Sequence, residues 1–174
     1  MGVIVKVFGA MFIVFSTSAY GFVKCRELNN RMMLLKEIEK IIFLLKGEIE
    51  FGHTPIPEAF ENVAQRCQTG LKGILTDFSA KLQKGNKDLR ENWKEYMEKE
   101  LKSLDLSRQE IIDFVQLGEI LGLNEWDTQI KVLSTYENGL KRDIDELSES
   151  LPSKTKVYRS LGIMCGIIIT IIIV

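Results

Sequence analysis

Apolar residues are distributed along this chain in two ways. At each end they form a run without a single charge, residues 7–23 (VFGAMFIVFSTSAYGFV) and residues 160–174 (SLGIMCGIIITIIIV). As a helix the first run is roughly 26 Å long at about 1.5 Å per residue. That is close to the roughly 30 Å of hydrocarbon in a bilayer. Gly2–Val5 can lengthen it if Lys6 snorkels its charge to the nearer interface. The second run covers about 22 Å. Val157 and Tyr158 extend it, Tyr suits an interface, and Arg159 would snorkel in turn. The pattern predicts a transmembrane helix over 1–23, a helical domain over 24–159 and a transmembrane helix over 160–174.

Between the ends the spacing is helical. Leu28, Leu35, Ile42 and Ile49 fall seven apart, with Ile38, Leu45, Leu34 and Ile41 widening the stripe. They predict one amphipathic helix from about Glu27 to Glu50, open to continuity with the apolar run before it. His53-Thr54-Pro55-Ile56-Pro57 breaks it, and Pro suits the first turn of the next helix. That helix is expected to run to about Cys67, with Ala59, Phe60, Val63 and Ala64 facing inward. Leu71–Lys84 and Lys87–Lys102 read as two more, separated by Gly85-Asn86. Ser107-Arg108-Gln109-Glu110 is a capping box, with Leu106 and Ile111 as its staple. That helix is expected to end at Gly122, a left-handed C′ position. Asn124 would cap the last helix, and Trp126, Ile130, Leu133, Leu140, Ile144, Leu147 and Leu151 mark its inner face until Pro152 stops it. The fold class is therefore all-α: an antiparallel bundle of about six helices between two transmembrane helices.

Flanking charge sets the expected orientation. Lys24, Arg26, Arg31 and Lys36 follow the first run, and Lys154, Lys156 and Arg159 precede the second, whereas Lys6 stands alone on the far side. The positive-inside rule puts the middle in the cytoplasm and both termini outside. A secretory signal peptide cleaved after Ala19 is the rival reading, but its basic residues lie on the wrong side. A soluble chain with two apolar core helices would have to bury the terminal GIIITIIIV run.

Composition narrows the function. The chain of 174 residues carries 23 basic and 24 acidic residues, a net charge of −1. All but Lys6 of these charges lie in 24–159, an ordinary water-compatible composition. A general nucleic-acid binder would carry an excess of Lys and Arg. The single histidine, His53, leaves no zinc set or His-based dyad. There is no GxGxxG, GxxxxGK[ST], HExxH or CxxC, and Cys25, Cys67 and Cys165 read as free thiols. No catalytic residue, cofactor or metal is expected. Glu48, Glu50 and Glu58 cluster near the Pro turn, but nothing predicts the enclosing pocket that acid–base work needs. Lys81, Lys84, Lys87, Arg90, Lys94, Lys99 and Lys102 resemble a basic stripe, but Asp88, Glu91, Glu95, Glu98 and Glu100 are interspersed, as on a solvated face. Gly162 and Gly166 have the small-residue spacing that lets membrane helices approach closely. Gly9 and Ala10 are candidate faces opposite them.

Three segments also resemble a known family. The turn Glu48-Ile49-Glu50-Phe51-Gly52-His53-Thr54-Pro55-Ile56-Pro57-Glu58-Ala59-Phe60 is similar to the "EI-x-Y-G-x-T-P-L-x-E-A" signature of the stage III sporulation protein AB family. Leu117-Gly118-Glu119-Ile120-Leu121-Gly122-Leu123-Asn124-Glu125-Trp126-Asp127-Thr128-Gln129 resembles its "LG…LG-x-S-D…Q" segment, and Lys156–Gly162 before an apolar tail matches its ending. Phe51 stands where Tyr is usual and Asn124-Glu125 where Ser-Asp is usual. The resemblance implies a non-enzymatic subunit of the channel-like complex that joins mother cell and forespore during and after engulfment in endospore-forming bacteria. It implies a helical domain like the platform domains of type II secretion and type IV pilus systems. It further implies contact with a cytoplasmic secretion-type ATPase, stage III sporulation protein AA, and with other membrane subunits. Glu48, Glu50, Pro55, Pro57, Glu58, Gly122, Asn124, Glu125 and Gln129 would contact partners or shape the bundle. The competing readings are a membrane-tethered homo-oligomeric scaffold and a lipid-binding helical protein or membrane enzyme with a pocket between its helices.

Overall fold

The long stripes of the sequence become long helices in the computed structural model. It describes residues 2–84, 89–121 and 126–173, with backbone alone for residues 2–7, 10, 89–91, 119, 120, 126, 172 and 173. Six helices follow in order: α1 (Gly2–Glu50), α2 (Ile56–Gln65), α3 (Leu71–Lys84), α4 (Leu89–Glu100), α5 (Arg108–Leu121) and α6 (Trp126–Ile173). A 3₁₀ turn, Leu101–Ser103, follows α4. There is no strand among the described residues. The terminal runs are not separate elements, as the sequence suggested for the second, but parts of α1 and α6. Residues 31–145 form one compact unit; residues 1–30 and 146–174 form another.

Pro152 does not stop α6, which continues through it to Ile173. A proline inside a helix leaves the carbonyl four residues back, that of Ser148, without its N–H. Both residues are exposed, so solvent can take the place of the missing donor. Beyond Pro152, Thr155 Oγ1 donates to the carbonyls of Leu151 and Pro152 at 2.9 and 3.0 Å.

In the unit of residues 31–145 the expected apolar faces are the buried ones. Leu35, Ile38, Ile41, Ile42, Leu45 and Ile49 line α1, and Ala59, Phe60, Val63 and Ala64 line α2. Pro55 is the N-cap of α2 and Pro57 lies in its first turn. The helix stops at Gln65, two residues early, because Arg66 and Cys67 turn back onto the carbonyls of Val63 and Ala64. Trp93 of α4 is 1% exposed and sits among Phe60, Phe78 and Phe114, ring centroids 5.1–5.4 Å away. The α5 capping box forms: Ser107 N–H donates to Glu110 Oε2 at 2.6 Å and Glu110 N–H to Ser107 Oγ at 3.3 Å.

The core is less uniformly apolar than its periodicity suggests. Glu37, Ser79, Glu110, Gln129 and Glu137 are buried too. Glu37 accepts from the backbone N–H groups of Gln68 and Thr69 ahead of α3. Glu137 on α6 accepts from Lys46 Nζ on α1 at 3.1 Å and from Lys141 Nζ at 2.7 Å. Lys141 in turn lies 4.0 Å from Glu39, which sets α1 and α6 antiparallel. Hydrogen bonding from Lys141, aided by Lys46, holds the Glu137 carboxyl below its ordinary value of 4.5. A depressed carboxyl contributes stability above the unfolded-state value and loses it as pH falls through the folded one. The urea midpoint is therefore expected to fall as pH drops from about 5 toward 3, and Glu137→Gln should flatten that fall. Equal acid sensitivity in the variant would show that Glu137 does not carry it.

In the unit of residues 1–30 and 146–174 the two helical segments are also antiparallel. Cys25 Sγ donates to the carbonyl of Thr155 at 3.3 Å. Gly162 and Gly166 lie where the backbones come closest. A Cβ on Gly162 would stand 2.8 Å from the Thr17 carbonyl oxygen, and one on Gly166 2.9 Å from Val14 Cα. Across from them, a Cβ on Gly21 would stand 2.7 Å from the Tyr158 carbonyl oxygen. Gly9, a candidate face by sequence, has nothing within 4 Å of its would-be Cβ, and the Ala10 side chain lies outside the described residues. The glycines thus meet a later part of α1, through Val14, Thr17 and Gly21. Among the described residues no helix is long and apolar enough to cross a membrane.

Candidate functional site

The motif turn closes the end of α1. The N–H of Phe51 returns to the Gly47 carbonyl at 3.0 Å and that of Thr54 to the Glu48 carbonyl at 3.1 Å. His53 takes the left-handed conformation, with φ 46°, a region where His is one of the better tolerated residues. Gly52 is needed for space instead: a Cβ there would stand 2.7 Å from the Glu48 carbonyl oxygen. The Glu48 carboxylate receives Thr54 Oγ1 at 3.0 Å and Asn62 Nδ2 at 3.2 Å, which ties α1 to the turn and to α2.

The motif residues therefore separate by what they touch. Glu48, Pro55 and Pro57 build the turn and the start of α2. Glu58 is exposed in the first turn of α2, where the helix dipole favours an acid. Glu50 is exposed in the last turn of α1, where the dipole disfavours one. Phe51 is 80% exposed, and Phe43, two turns earlier on α1, is 63% exposed. Sequence reasoning noted Phe51 only as a departure from the family's usual Tyr and did not mark Phe43, since exposure leaves no periodic trace. Gln129 is buried and donates through Nε2 to the Leu121 carbonyl at 3.1 Å, closing the end of α5. Gly122, Asn124 and Glu125 lie outside the described residues, as does the Trp126 side chain.

A groove of about 280 Å³ lies between α5 and α6, lined by Glu110, Asp113, Leu117, Val132, Thr135, Tyr136, Leu140 and Asp143 among others. Neither Glu50 nor Gln129 lines it. Its deepest acid is neutralised: Arg31 grips Glu110 through Nη2 at 2.7 Å and Nε at 2.9 Å, a two-point pairing that fixes both side chains. Burial, with Asp113, Glu110 and Asp143 nearby, pushes the Tyr136 hydroxyl up, so it stays protonated. Burial likewise raises the Cys67 thiol to about 11, and its Sγ donates to the Val63 carbonyl. Such a thiol is a poor nucleophile. No group of His, Cys, Asp and Glu among the described residues could hold a metal ion. Besides the paired Glu110, the groove is lined by the Thr135 and Tyr136 hydroxyls and the Asp113 and Asp143 carboxylates.

Known proteins agree with this architecture. The family model described as Stage III sporulation protein AB (spore_III_AB) matches residues 6–174. Stage III sporulation protein AB of Bacillus subtilis (strain 168) is 25% identical over 168 residues, covering 97% of this chain and 98% of that protein. A solved structure of stage III sporulation protein AB (SpoIIIAB) shares the fold, with a TM-score of 0.65 and 23% identity over 71% of this chain and 97% of its own. None of these names is that of an enzyme. The motif turn, the helical architecture and the match along nearly the whole length lead to one conclusion: the chain belongs to the stage III sporulation protein AB family and has its role in sporulation.

Proposed function

We propose that this protein is a non-enzymatic membrane platform of a sporulation complex between mother cell and forespore. Residues 1–30 and 146–174 anchor it in the membrane with both termini outside, and residues 31–145 face the cytoplasm. The supporting observation is the surface of the anchoring unit. Phe8, Met11, Phe12 and Phe15 on α1 are 66–78% exposed, and Leu161, Ile163, Met164, Ile167, Ile168 and Ile171 on α6 are 41–72% exposed. Apolar surface of this extent is stable in lipid and a liability in water. The basic residues at its inner end favour the cytoplasmic orientation.

The cytoplasmic unit is read as the contact for a secretion-type ATPase, stage III sporulation protein AA, while the anchors meet other membrane subunits. Phe51 and Glu50 support a contact at the motif turn, because both side chains are exposed there. An exposed aromatic is a good anchor for a partner pocket. With the full chain in detergent and purified stage III sporulation protein AA, Phe51→Ser is expected to weaken binding about tenfold or more while leaving thermal unfolding unchanged. Unchanged affinity would move the contact away from the turn, and no binding by the unaltered chain would contradict ATPase coupling.

A further inference from the structure

Basic side chains gather at one level of the anchoring unit. Cys25 bonds to the carbonyl of Thr155, and Gly21 meets Tyr158. The same antiparallel register sets Lys24 level with Lys156 and Arg26 level with Lys154. Arg159 lies over the ring of Phe22 at 5.4 Å, and Lys24 over Tyr20 at 5.8 Å. Five cations thus ring two helices within about two turns.

Their charges are largely uncompensated. Lys24 is paired with Glu27 at 2.6 Å. Among the described residues, Arg26, Lys154 and Lys156 have no carboxylate within ion-pair distance. All three are exposed. Apolar side chains are exposed among these cations and just beyond them, with Phe22, Val23, Val157, Tyr158 and Leu161 at 40–54% exposure. Aromatic rings and apolar side chains directly beside unpaired cations match the layering of a membrane surface, where acyl chains give way to headgroups.

We propose that this collar binds anionic phospholipid headgroups, through Arg26, Lys154 and Lys156, with Lys24 and Arg159 held against their aromatic rings at the acyl boundary. The proposal rests on the membrane reading above and adds a ligand class to it. Anionic headgroups supply the counter-charge that Arg26, Lys154 and Lys156 do not find among the described residues. Each Lys or Arg at an anionic surface strengthens association by a factor of about five at low salt. The interaction is confined to roughly a Debye length, about 10 Å at 0.1 M salt.

The test reconstitutes the full chain into vesicles of phosphatidylcholine with and without phosphatidylglycerol. Alkaline carbonate extraction first reports whether the chain is embedded. Spin-labelled phosphatidylglycerol and phosphatidylcholine then report which lipid the protein immobilises. The expected result is an embedded chain that prefers phosphatidylglycerol about fivefold, with the preference shrinking as salt rises. The triple variant Arg26→Gln, Lys154→Gln, Lys156→Gln should stay embedded and lose most of the preference. The charge-keeping variant Arg26→Lys, Lys154→Arg, Lys156→Arg should retain it. An embedded chain with no preference, or a preference equal in the glutamine variant, would overturn the collar alone. Competition by soluble glycerol 3-phosphate would also overturn it, by showing a small-anion site. Extraction from both vesicle types would sink the membrane reading and the collar together.

Discussion

Replacing Gly118 by alanine is expected to destabilise the protein by about 2 kcal/mol, the reverse of the usual effect. Within a helix Ala normally stabilises over Gly by about 0.5–1 kcal/mol, and Gly118 lies in the body of α5. The difference is Trp93. A Cβ on Gly118 would overlap its indole ring, Cδ1 and Cγ nearest. The ring cannot swing aside, because its Nε1 donates to the Val115 carbonyl at 2.9 Å and Phe60, Phe78 and Phe114 enclose it. Trp93→Ala should itself cost about 3–5 kcal/mol, as truncation of a large buried aromatic does. The pair of substitutions gives the sharper test. Once the indole is gone, Gly118→Ala should become neutral or stabilising, a coupling of about 2–3 kcal/mol. Urea unfolding of the four proteins reads this directly. Additive effects would mean that Gly118 is glycine for some reason other than the Trp93 ring.

The second large effect is expected where glycines bring α1 and α6 together. Leucine at Gly162 and Gly166 must displace the Thr17 carbonyl and the Val14 backbone, neither of which is the free end of a flexible side chain. Helix association without a hydrophobic drive depends on such close approach. Cys25 lies against Thr155 in the same seam, so a short bifunctional thiol reagent should link Cys25 to a cysteine replacing Thr155. With Cys67 and Cys165 replaced, the Gly162→Leu, Gly166→Leu protein is expected to cross-link about tenfold less, equivalent to about 1.4 kcal/mol. Undiminished linking would show that the helices meet without the glycines.

Gly118 and Trp93 also mark where sequence reading runs out. Periodicity identified the buried face of α1, and the Ser107–Glu110 box located the start of α5, because both signals are local. That Gly118 lies under an indole 25 residues earlier, or that Glu110 is gripped by Arg31, belongs to tertiary packing. No spacing within one helix records it. The spacing of Gly162 and Gly166 was legible, but their partner was not, since Gly9-Ala10 and Thr17–Gly21 are both rich in small residues. Pro152 misled because α6 continues through it, with solvent able to take the place of the missing donor at the exposed Ser148. At the motif turn, the residues the sequence marked were mostly those that hold the turn, Glu48, Pro55 and Pro57. Phe51 was legible as a departure from the family's Tyr, but its exposure was not.

The proposed placement of residues 31–145 in the cytoplasm underlies the proposed ATPase contact. It is tested most directly by a single cysteine at Lys102, an exposed position of that unit, with Cys25, Cys67 and Cys165 replaced. Intact cells are treated with a membrane-impermeant thiol reagent. The predicted result is no labelling until the membrane is permeabilised, followed by full labelling. Labelling in intact cells would put the domain on the outer side, where a cytoplasmic ATPase could not reach it, and would contradict the account.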